Sequence, residues 1–128
     1  MNHLSSLFDL SRARDSWYNA RMKDCIFCSI VRGETGKLVW ENDVAVAFET
    51  IAPKAPVHIL VVSKQHIENL DQLKDLELAG KLLLATSEVA KLVGVEGAWR
   101  LGVNTGARVG QSIPHLHLHI LGGKDMAE

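Results

Sequence analysis

The feature that most constrains the fold is one long stretch of helical periodicity in the middle of the chain, with strand-like segments on both sides of it. In residues 69–93 apolar residues recur at i, i+3 or i+4 steps, and Gly94 follows as a helix terminator. The predicted apolar stripe comprises Leu76, Ala79, Leu83, Ala90 and Val93, widened by Leu82, Val89 and Leu92. This order favours an α+β domain, in which an antiparallel sheet of about five strands is covered by one long helix.

The strand-like segments differ in the burial that they predict. In residues 44–49 large apolar residues alternate with smaller or polar ones, a period-2 pattern that predicts one core-facing side. The segment 58–63 begins with His58 and is apolar on both sides, so it predicts a strand buried on both faces. Further strands are predicted for residues 37–40, 99–104 and 115–121, and a short helix for residues 25–30.

Size and charge favour one domain and argue against two classes of partner. The 128 residues, of which 47% are apolar, are enough for one hydrophobic core. Lysine and arginine total 14 against 15 acidic residues, so neither DNA nor a membrane is indicated, and no apolar run is long enough to span a membrane. Charged residues interrupt residues 1–21, which therefore show no secretory signal. We predict a cytoplasmic protein with an N-terminal extension, residues 1–21, and one domain, residues 22–128.

Three histidines, His115, His117 and His119, alternate with leucines in the last predicted strand. Alternate residues of a strand share one face, so the three imidazoles should line up at intervals of roughly 7 Å. An imidazole with a pKa of about 6.5 keeps an unprotonated nitrogen at neutral pH that attacks phosphorus, while its neighbours donate to phosphate oxygens. A nucleophile also needs an acceptor for its other nitrogen, commonly a backbone carbonyl. The pattern favours this chemistry over a solvated strand face or an adventitious metal site.

The loop before these histidines, residues 104–112, combines glycine with small polar side chains. Glycines allow the backbone to approach a phosphate closely, while exposed amides and side chains donate hydrogen bonds to its oxygens. The candidate side-chain donors are Asn104, Gln111 and Ser112. The same residue types also form ordinary turns, so the interpretation as an anion-binding loop depends on the adjoining histidines.

The segment 110–123, Gly-Gln-Ser-Ile-Pro-His-Leu-His-Leu-His-Ile-Leu-Gly-Gly, resembles the signature of the histidine triad family. Its final Gly-Gly resembles the Hint branch, whereas relatives of the Fhit type, which cleave dinucleoside polyphosphates, usually have Pro-Arg there. Residues 48–53, residues 55–62 with His66, and residues 103–104 support the resemblance, which extends over residues 25–123.

The resemblance implies covalent catalysis by the middle histidine, His117. It would attack the α-phosphorus of a nucleoside phosphoramidate or mixed anhydride and form a nucleotidyl-histidine that water later hydrolyses. His119 and His115 would hold the transferring phosphoryl group or orient the nucleophile, and His58 matches a fourth histidine of such active sites. The implied substrate-binding residues are Phe48, Thr50, Ile51, Asn104, Gly110, Gln111 and Ser112.

One position departs from the Hint pattern. Hint proteins usually carry an aspartate that binds both ribose hydroxyls at the position eight residues before His58, where this chain has Thr50. Glu49 lies one residue away and, in a strand, faces the opposite side. Loss of the charge-assisted hydrogen bonds predicts nucleoside binding that is weaker by roughly 1.5 to 3 kcal/mol.

Cysteine is present only as Cys25 and Cys28, a spacing more typical of a metal-binding or redox pair than of a structural disulfide. With His58 and His115 the pair gives four soft ligands, which suit a tetrahedral structural zinc site. The set resembles that of zinc-bearing histidine triad proteins and of the related galactose-1-phosphate uridylyltransferases. The alternatives are reduced, buried cysteines and, less favoured without a thioredoxin-like βαβ context, a redox pair. His66 is interpreted as a structural or surface histidine.

Taken together, these features predict a purine nucleoside 5'-phosphoramidate hydrolase, a nucleotide hydrolase or transferase that acts through a nucleotidyl-histidine. Its predicted ligands are a purine nucleotide or nucleoside phosphoramidate and zinc, and the resemblance implies a homodimer. Two alternatives stay open. One is a dinucleoside polyphosphate hydrolase, and the other is a nucleotide-binding regulatory module with little turnover, to which the departure at Thr50 points.

Overall fold

The computed structural model of the protein describes residues 24–128, and the predicted N-terminal extension, residues 1–21, lies outside the described residues. In chain order the elements are α1 (Ile26–Val31), β1 (Trp40–Glu41), β2 (Ala45–Glu49), β3 (Val57–Ser63), α2 (Leu76–Leu92), β4 (Trp99–Gly102) and β5 (His117–Gly122). Two short 3-10 helices, Leu70–Gln72 and Ala107–Val109, lie in the connections. No helix within residues 24–128 is long and apolar enough to cross a membrane.

The five strands form one antiparallel sheet in the order β1-β2-β3-β5-β4. The last strand of the chain, β5, is therefore central, with β3 on one side and β4 on the other. In the β3–β5 register Val62 lies opposite His117, and Leu60 lies opposite His119. The α+β fold expected from the sequence, with about five antiparallel strands and one long helix, is confirmed.

Both faces of the sheet are covered. Helix α2 packs on one face, where it meets side chains such as Ala47, Val61 and Ile120. On the opposite face Phe27 and Ile30 of α1 pack against a second apolar group, formed by Val46, Phe48, Leu60 and Val62. The prediction of a single core-facing side for residues 44–49 is wrong, because α1 supplies a second layer and residues 45–48 are all buried.

Helix α2 begins after Asp75, whose side chain accepts a hydrogen bond from the Leu78 amide at 3.1 Å and caps the first turn. Gly94, just beyond its end, has a φ of +84°, which fits the predicted terminator. The buried residues of the helix are Leu78, Leu82, Ala85, Thr86, Val89 and Ala90. Three residues of the predicted stripe, Leu76, Leu83 and Leu92, are instead exposed. Leucines occur all around this helix, so its periodicity admits more than one apolar face.

Candidate active site

His117, the first residue of β5, is buried and held by the backbone just before it. Its Nδ1 lies 2.7 Å from the carbonyl oxygen of His115. A carbonyl oxygen only accepts hydrogen bonds, so Nδ1 carries the ring proton and Nε2 presents a free lone pair. Burial lowers the pKa of His117, which keeps the ring neutral at neutral pH. The backbone acceptor expected for a histidine nucleophile is therefore present.

His58 and His119 form a hydrogen-bonded pair on the sheet face that carries His117. The Lys54 amide donates to Nδ1 of His58 at 3.0 Å, so in the neutral ring of His58 the proton lies on Nε2. This Nε2 donates in turn to Nδ1 of His119 at 2.9 Å. The proton of neutral His119 is therefore on Nε2, which is buried and has no hydrogen-bond partner within residues 24–128.

The neighbouring rings of His117 and His119 differ in what they offer a ligand. Burial lowers the pKa of His119 to about 4, with smaller contributions from the nearby histidines and Lys54, so its ring is neutral at neutral pH. The two ring centroids are 5.0 Å apart. One ring thus presents a lone pair and the other an unsatisfied N–H, which costs about 1 to 3 kcal/mol until an acceptor binds it. This arrangement suits attack on phosphorus while a phosphate oxygen is held.

The depressed pKa of His119 predicts that the protein is less stable in acid. A histidine of the unfolded chain has a pKa of about 6.5. Between that value and about 4 the unfolded state binds a proton that folded His119 does not, so stability falls as the pH falls. We expect the urea midpoint to decrease from about pH 7 to about pH 5, and to decrease less in His119→Gln at the same zinc concentration. An equal decrease in both proteins would contradict a neutral His119.

His115 precedes β5 and does not share a strand face with the other two histidines of the triad. It is fully buried, and its Nε2 donates to the carbonyl oxygen of Ser63 at 2.8 Å. Its Nδ1 is therefore unprotonated in the neutral ring, and it faces the two cysteines. The prediction of three aligned imidazoles is wrong for His115, because β5 begins only at His117. Of its two predicted roles, the geometry fits orientation of the nucleophile, through the His115 carbonyl.

Four possible metal ligands converge beside His117. They are Cys25, Cys28, His66 and His115, here called the Cys2His2 cluster, and their ligand atoms lie within 4.8 Å of one another. Nδ1 of His115 is 3.3 Å from Cys25 Sγ and 3.5 Å from Cys28 Sγ, and Nδ1 of His66 is 3.1 Å from Cys28 Sγ. Zinc bonds of about 2.3 Å to sulfur and about 2.0 Å to nitrogen separate tetrahedral ligands by roughly 3.5 Å. The four residues therefore fit this ion.

The cluster contains His66 where the sequence predicted His58. Both ring nitrogens of His58 are used, one by the Lys54 amide and one by His119. The β3–β5 pairing causes this, since it brings His58 beside His119. His66 lies in the loop after β3 and reaches the cysteines only through the path of that loop. The assignment of His58 as a metal ligand is therefore wrong, and the structure places His66 in the cluster instead.

Gln111 holds the loop before β5 together. Its Oε1 accepts a hydrogen bond from the Gly106 amide at 2.8 Å. Its Nε2 donates to the carbonyl oxygens of Glu68 and Ile113 at 2.7 and 3.1 Å. The side chain is buried and both of its amide protons are used, so it has no donor left for a phosphate. The predicted direct contact of the Gln111 side chain with substrate is thus replaced by a role in positioning the loop.

Other predicted contacts in this loop are accessible to a ligand. Ser112 and Gly110 are exposed, and Asn104 is half-buried. Gly110 has a φ of +104°, and a Cβ at this position would lie 3.6 Å from Nδ2 of Asn104. Glycine therefore permits the left-handed turn beside the Asn104 amide.

The predicted substrate contacts in β2 and just after it differ in their exposure. Phe48 is buried and packs edge-on against Phe27, with ring centroids 5.5 Å apart, so it supports the site from the core. Thr50 is half-buried, and its Oγ1 accepts a hydrogen bond from the Ala52 amide at 3.3 Å. The side chain of Ile51 is fully exposed. Thr50 and Ile51 are thus accessible to a ligand, whereas Phe48 is not.

Phe27, which the sequence reasoning missed, contacts two histidines of the site. Its ring lies edge-on to His117 and His115, with centroid separations of 5.1 and 5.9 Å. The sequence signal that could have identified Phe27 as a residue of the site is its position between Cys25 and Cys28.

Comparison with known proteins identifies several relatives. The HIT domain family matches residues 32–126. An uncharacterized HIT-like protein of Synechocystis sp. is 44% identical over 105 residues, which cover 80% of this chain and 92% of the relative. Protein HitA of Neisseria gonorrhoeae is 38% identical, over 79% of this chain and 97% of its own.

Solved structures agree with the fold. A HIT family hydrolase from Legionella pneumophila superposes with a TM-score of 0.77 at 35% identity, covering 81% of this chain and 96% of its own. A histidine triad protein from Clostridium difficile gives 0.76 at 38% identity, covering 82% and 95%. A histidine triad nucleotide-binding protein from Candida albicans gives 0.69 at 26% identity, covering 82% and 85%.

Proposed function

Because the chain belongs to the HIT domain family, we propose that it is a nucleotide hydrolase or transferase that cleaves purine nucleoside 5'-phosphoramidates through a covalent nucleotidyl-His117. The observation that carries the proposal is that two adjacent neutral imidazole rings carry their protons on different nitrogens. Nε2 of His117 is an unprotonated nucleophile, and Nε2 of His119 is a buried N–H that lacks an acceptor. Similar structures named as a hydrolase and as a nucleotide-binding protein support it.

In the proposed reaction Nε2 of His117 attacks the α-phosphorus and the P–N bond breaks. The His119 N–H donates to a phosphoryl oxygen, where negative charge grows as the bond to His117 forms. The His115 carbonyl holds the proton on Nδ1 of His117 and stabilises the positive charge that the ring gains. The amine takes up a proton from solvent as it leaves. Water then hydrolyses the nucleotidyl-histidine, which releases a nucleoside monophosphate and returns His117 to its neutral form.

His58 has a positioning role in this scheme. Its Nδ1 is fixed by the Lys54 amide, so it presents an N–H to His119. That bond in turn keeps the His119 proton on Nε2, where the phosphoryl group would lie. The Lys54–His58 and His58–His119 hydrogen bonds thus determine which nitrogen of His119 carries the proton that is donated to the phosphoryl group.

On the nucleoside side, Thr50 offers one neutral hydroxyl. Its oxygen already accepts from the Ala52 amide, so its proton is left for a single ribose oxygen. One neutral hydrogen bond contributes about 0.5 to 1.5 kcal/mol, against about 1.5 to 3 for a bond to a charged group. We therefore expect substrate affinity to depend mainly on the phosphoryl contacts of the loop that contains Asn104 and Ser112.

The proposal is tested by the products released from two substrates. The purified chain is incubated with an adenosine 5'-phosphoramidate and, in parallel, with a diadenosine polyphosphate. We expect AMP from the phosphoramidate and none from the diadenosine compound. AMP only from the diadenosine compound would support the dinucleoside polyphosphate hydrolase instead. Tight binding of AMP with no turnover of either substrate would support the nucleotide-binding regulatory module.

The Cys2His2 cluster is proposed to bind one structural zinc ion. Its two sulfurs and two ring nitrogens supply a closed tetrahedral set, which leaves no position for a catalytic water. The Ser63 carbonyl fixes the His115 tautomer so that Nδ1 is free to act as a ligand, as second-shell partners of metal-bound histidines do. The ion would tie α1, the loop after β3 and the segment that leads into β5 together.

A cytoplasmic homodimer completes the proposal. Four leucines of α2 are exposed and leave apolar surface uncovered, namely Leu76, Leu83, Leu84 and Leu92, and β4 lies at the edge of the sheet. Both features are typical of a surface that a second copy covers. A mass in solution that equals one 14.1 kDa chain would contradict the dimer.

A further inference from the structure

We infer that Phe27 is a positioning residue for His117, and that the Cys2His2 cluster holds the nucleophile in place through Phe27 and through the His115 backbone. The inference rests on the proposed role of His117 as nucleophile. It goes beyond that role by giving a structural metal site control over the orientation of the attacking nitrogen.

The first connection runs through the ring of Phe27. Phe27 lies between the two cysteines of the cluster at the start of α1, and it is buried. Its ring meets His117 at an interplanar angle of 78° and His115 at 74°. A close-packed aromatic edge limits how far an imidazole can turn about its side-chain bonds. A shift of Phe27 therefore changes the space open to the His117 ring.

The second connection runs through His115. Its ring belongs to the cluster, while its carbonyl oxygen, 2.7 Å from Nδ1 of His117, fixes the tautomer of the nucleophile. Ligation of the His115 ring thus also restrains the carbonyl of the same residue. If that carbonyl moved away, the proton of neutral His117 would be free to occupy either ring nitrogen, and one of the two tautomers cannot attack.

Helix α1 depends on such restraints because it is short. It spans six residues, and a helix of this length is not stable on its own in water. Its position is set by packing of Phe27 and Ile30 on the sheet and by the contacts of Cys25 and Cys28. Zinc bound by both cysteines would fix the first turn of α1, and with it the ring of Phe27.

The variant that tests the inference is Phe27→Leu, compared with Ile30→Val. Ile30 lies on the same helix and in the same apolar group as Phe27. Misplacement of a reacting group by about 1 Å costs up to about a hundredfold in rate. We expect zinc-loaded Phe27→Leu to lose about ten- to a hundredfold in kcat, with KM changed less than about threefold. Ile30→Val should keep the kcat of the unaltered chain. Should Phe27→Leu fail to fold, Phe27→Met replaces it, because its longer unbranched side chain adapts to the space left by the ring.

A measurement that needs no turnover completes the test. With 15N-labelled histidine, NMR reports which ring nitrogen of His117 carries the proton. We expect the Nδ1–H tautomer alone in the zinc-loaded chain, and a mixture of tautomers in Phe27→Leu and after zinc is removed by a chelator. An unchanged His117 spectrum in both would overturn the inference. If no substrate were hydrolysed, the proposed function would fail, but the NMR result would still decide whether the cluster orients His117.

Discussion

Replacement of His117 with alanine is expected to lower the turnover of an adenosine 5'-phosphoramidate by about 10⁴-fold or more. Among the described histidines of this sheet face, His117 alone has an unprotonated ring nitrogen that accepts no hydrogen bond from the protein, because both nitrogens of His58 are used and Nε2 of His119 carries a proton. Without the His117 ring the covalent step has no nucleophile, and water must attack the phosphorus directly. Initial rates of AMP release from the two proteins, measured at saturating substrate, give the ratio.

Two controls separate loss of the nucleophile from loss of structure. The melting temperature of His117→Ala should fall by no more than the replacement of one buried side chain accounts for. The variant should also bind as much zinc per chain as the unaltered protein. Added imidazole should restore part of the activity, because it fits the space left by the ring and provides the missing nitrogen. A variant that keeps more than about one hundredth of the original turnover would contradict nucleophilic catalysis by His117.

The second large effect is expected on zinc binding, where His66→Ala and His58→Ala should differ. His66 belongs to the Cys2His2 cluster, whereas the two ring nitrogens of His58 are hydrogen-bonded to the Lys54 amide and to His119. We expect His66→Ala to lose stoichiometric zinc and His58→Ala to keep it. Zinc at a thousandfold excess over its Kd stabilises the folded chain by about 4 kcal/mol. Each kcal/mol of lost stability lowers the melting temperature of a domain of this size by about 4 °C or more. In the presence of zinc, His66→Ala should therefore melt roughly 15 °C below the unaltered chain.

A chelator provides the control for this comparison. Once zinc is removed from both proteins, most of the difference in melting temperature between His66→Ala and the unaltered chain should disappear, because it arises from the ion and not from the side chain. Zinc retained by His66→Ala, or lost from His58→Ala, would contradict the ligand set that the structure indicates.

The sequence allowed the fold class and the central pair of histidines to be predicted because both depend on local periodicity. Alternation along β5 places His117 and His119 on one face whatever lies beside the strand. The helix was also found, but its buried face was predicted only in part: Leu82, Val89 and Ala90 of the predicted stripe are buried, whereas Leu76, Leu83 and Leu92 are exposed. The buried face depends on which side of α2 packs against the sheet. A helix with leucines on several sides does not specify that side.

The residues that were misplaced depend on contacts between distant segments. The role of His58 follows from the pairing of β3 with β5, which brings it to His119, and no spacing within one segment reveals such a register. His66 joins the cysteines through the path of a loop. His115 was assigned to β5 although the strand begins at His117, and a shift of two residues at a strand end is beyond what alternation can resolve.

Covalent catalysis by His117 is tested most directly by detection of nucleotidyl-His117 itself. The chain is mixed with excess adenosine 5'-phosphoramidate, quenched within the first turnover in alkaline denaturant, digested, and examined by mass spectrometry. We expect a peptide that contains residue 117 and is heavier by one adenylyl group, with the group on His117 and absent from the His117→Ala protein. Release of AMP at the full rate with no adduct, or with the adduct on another residue, would contradict covalent catalysis by His117.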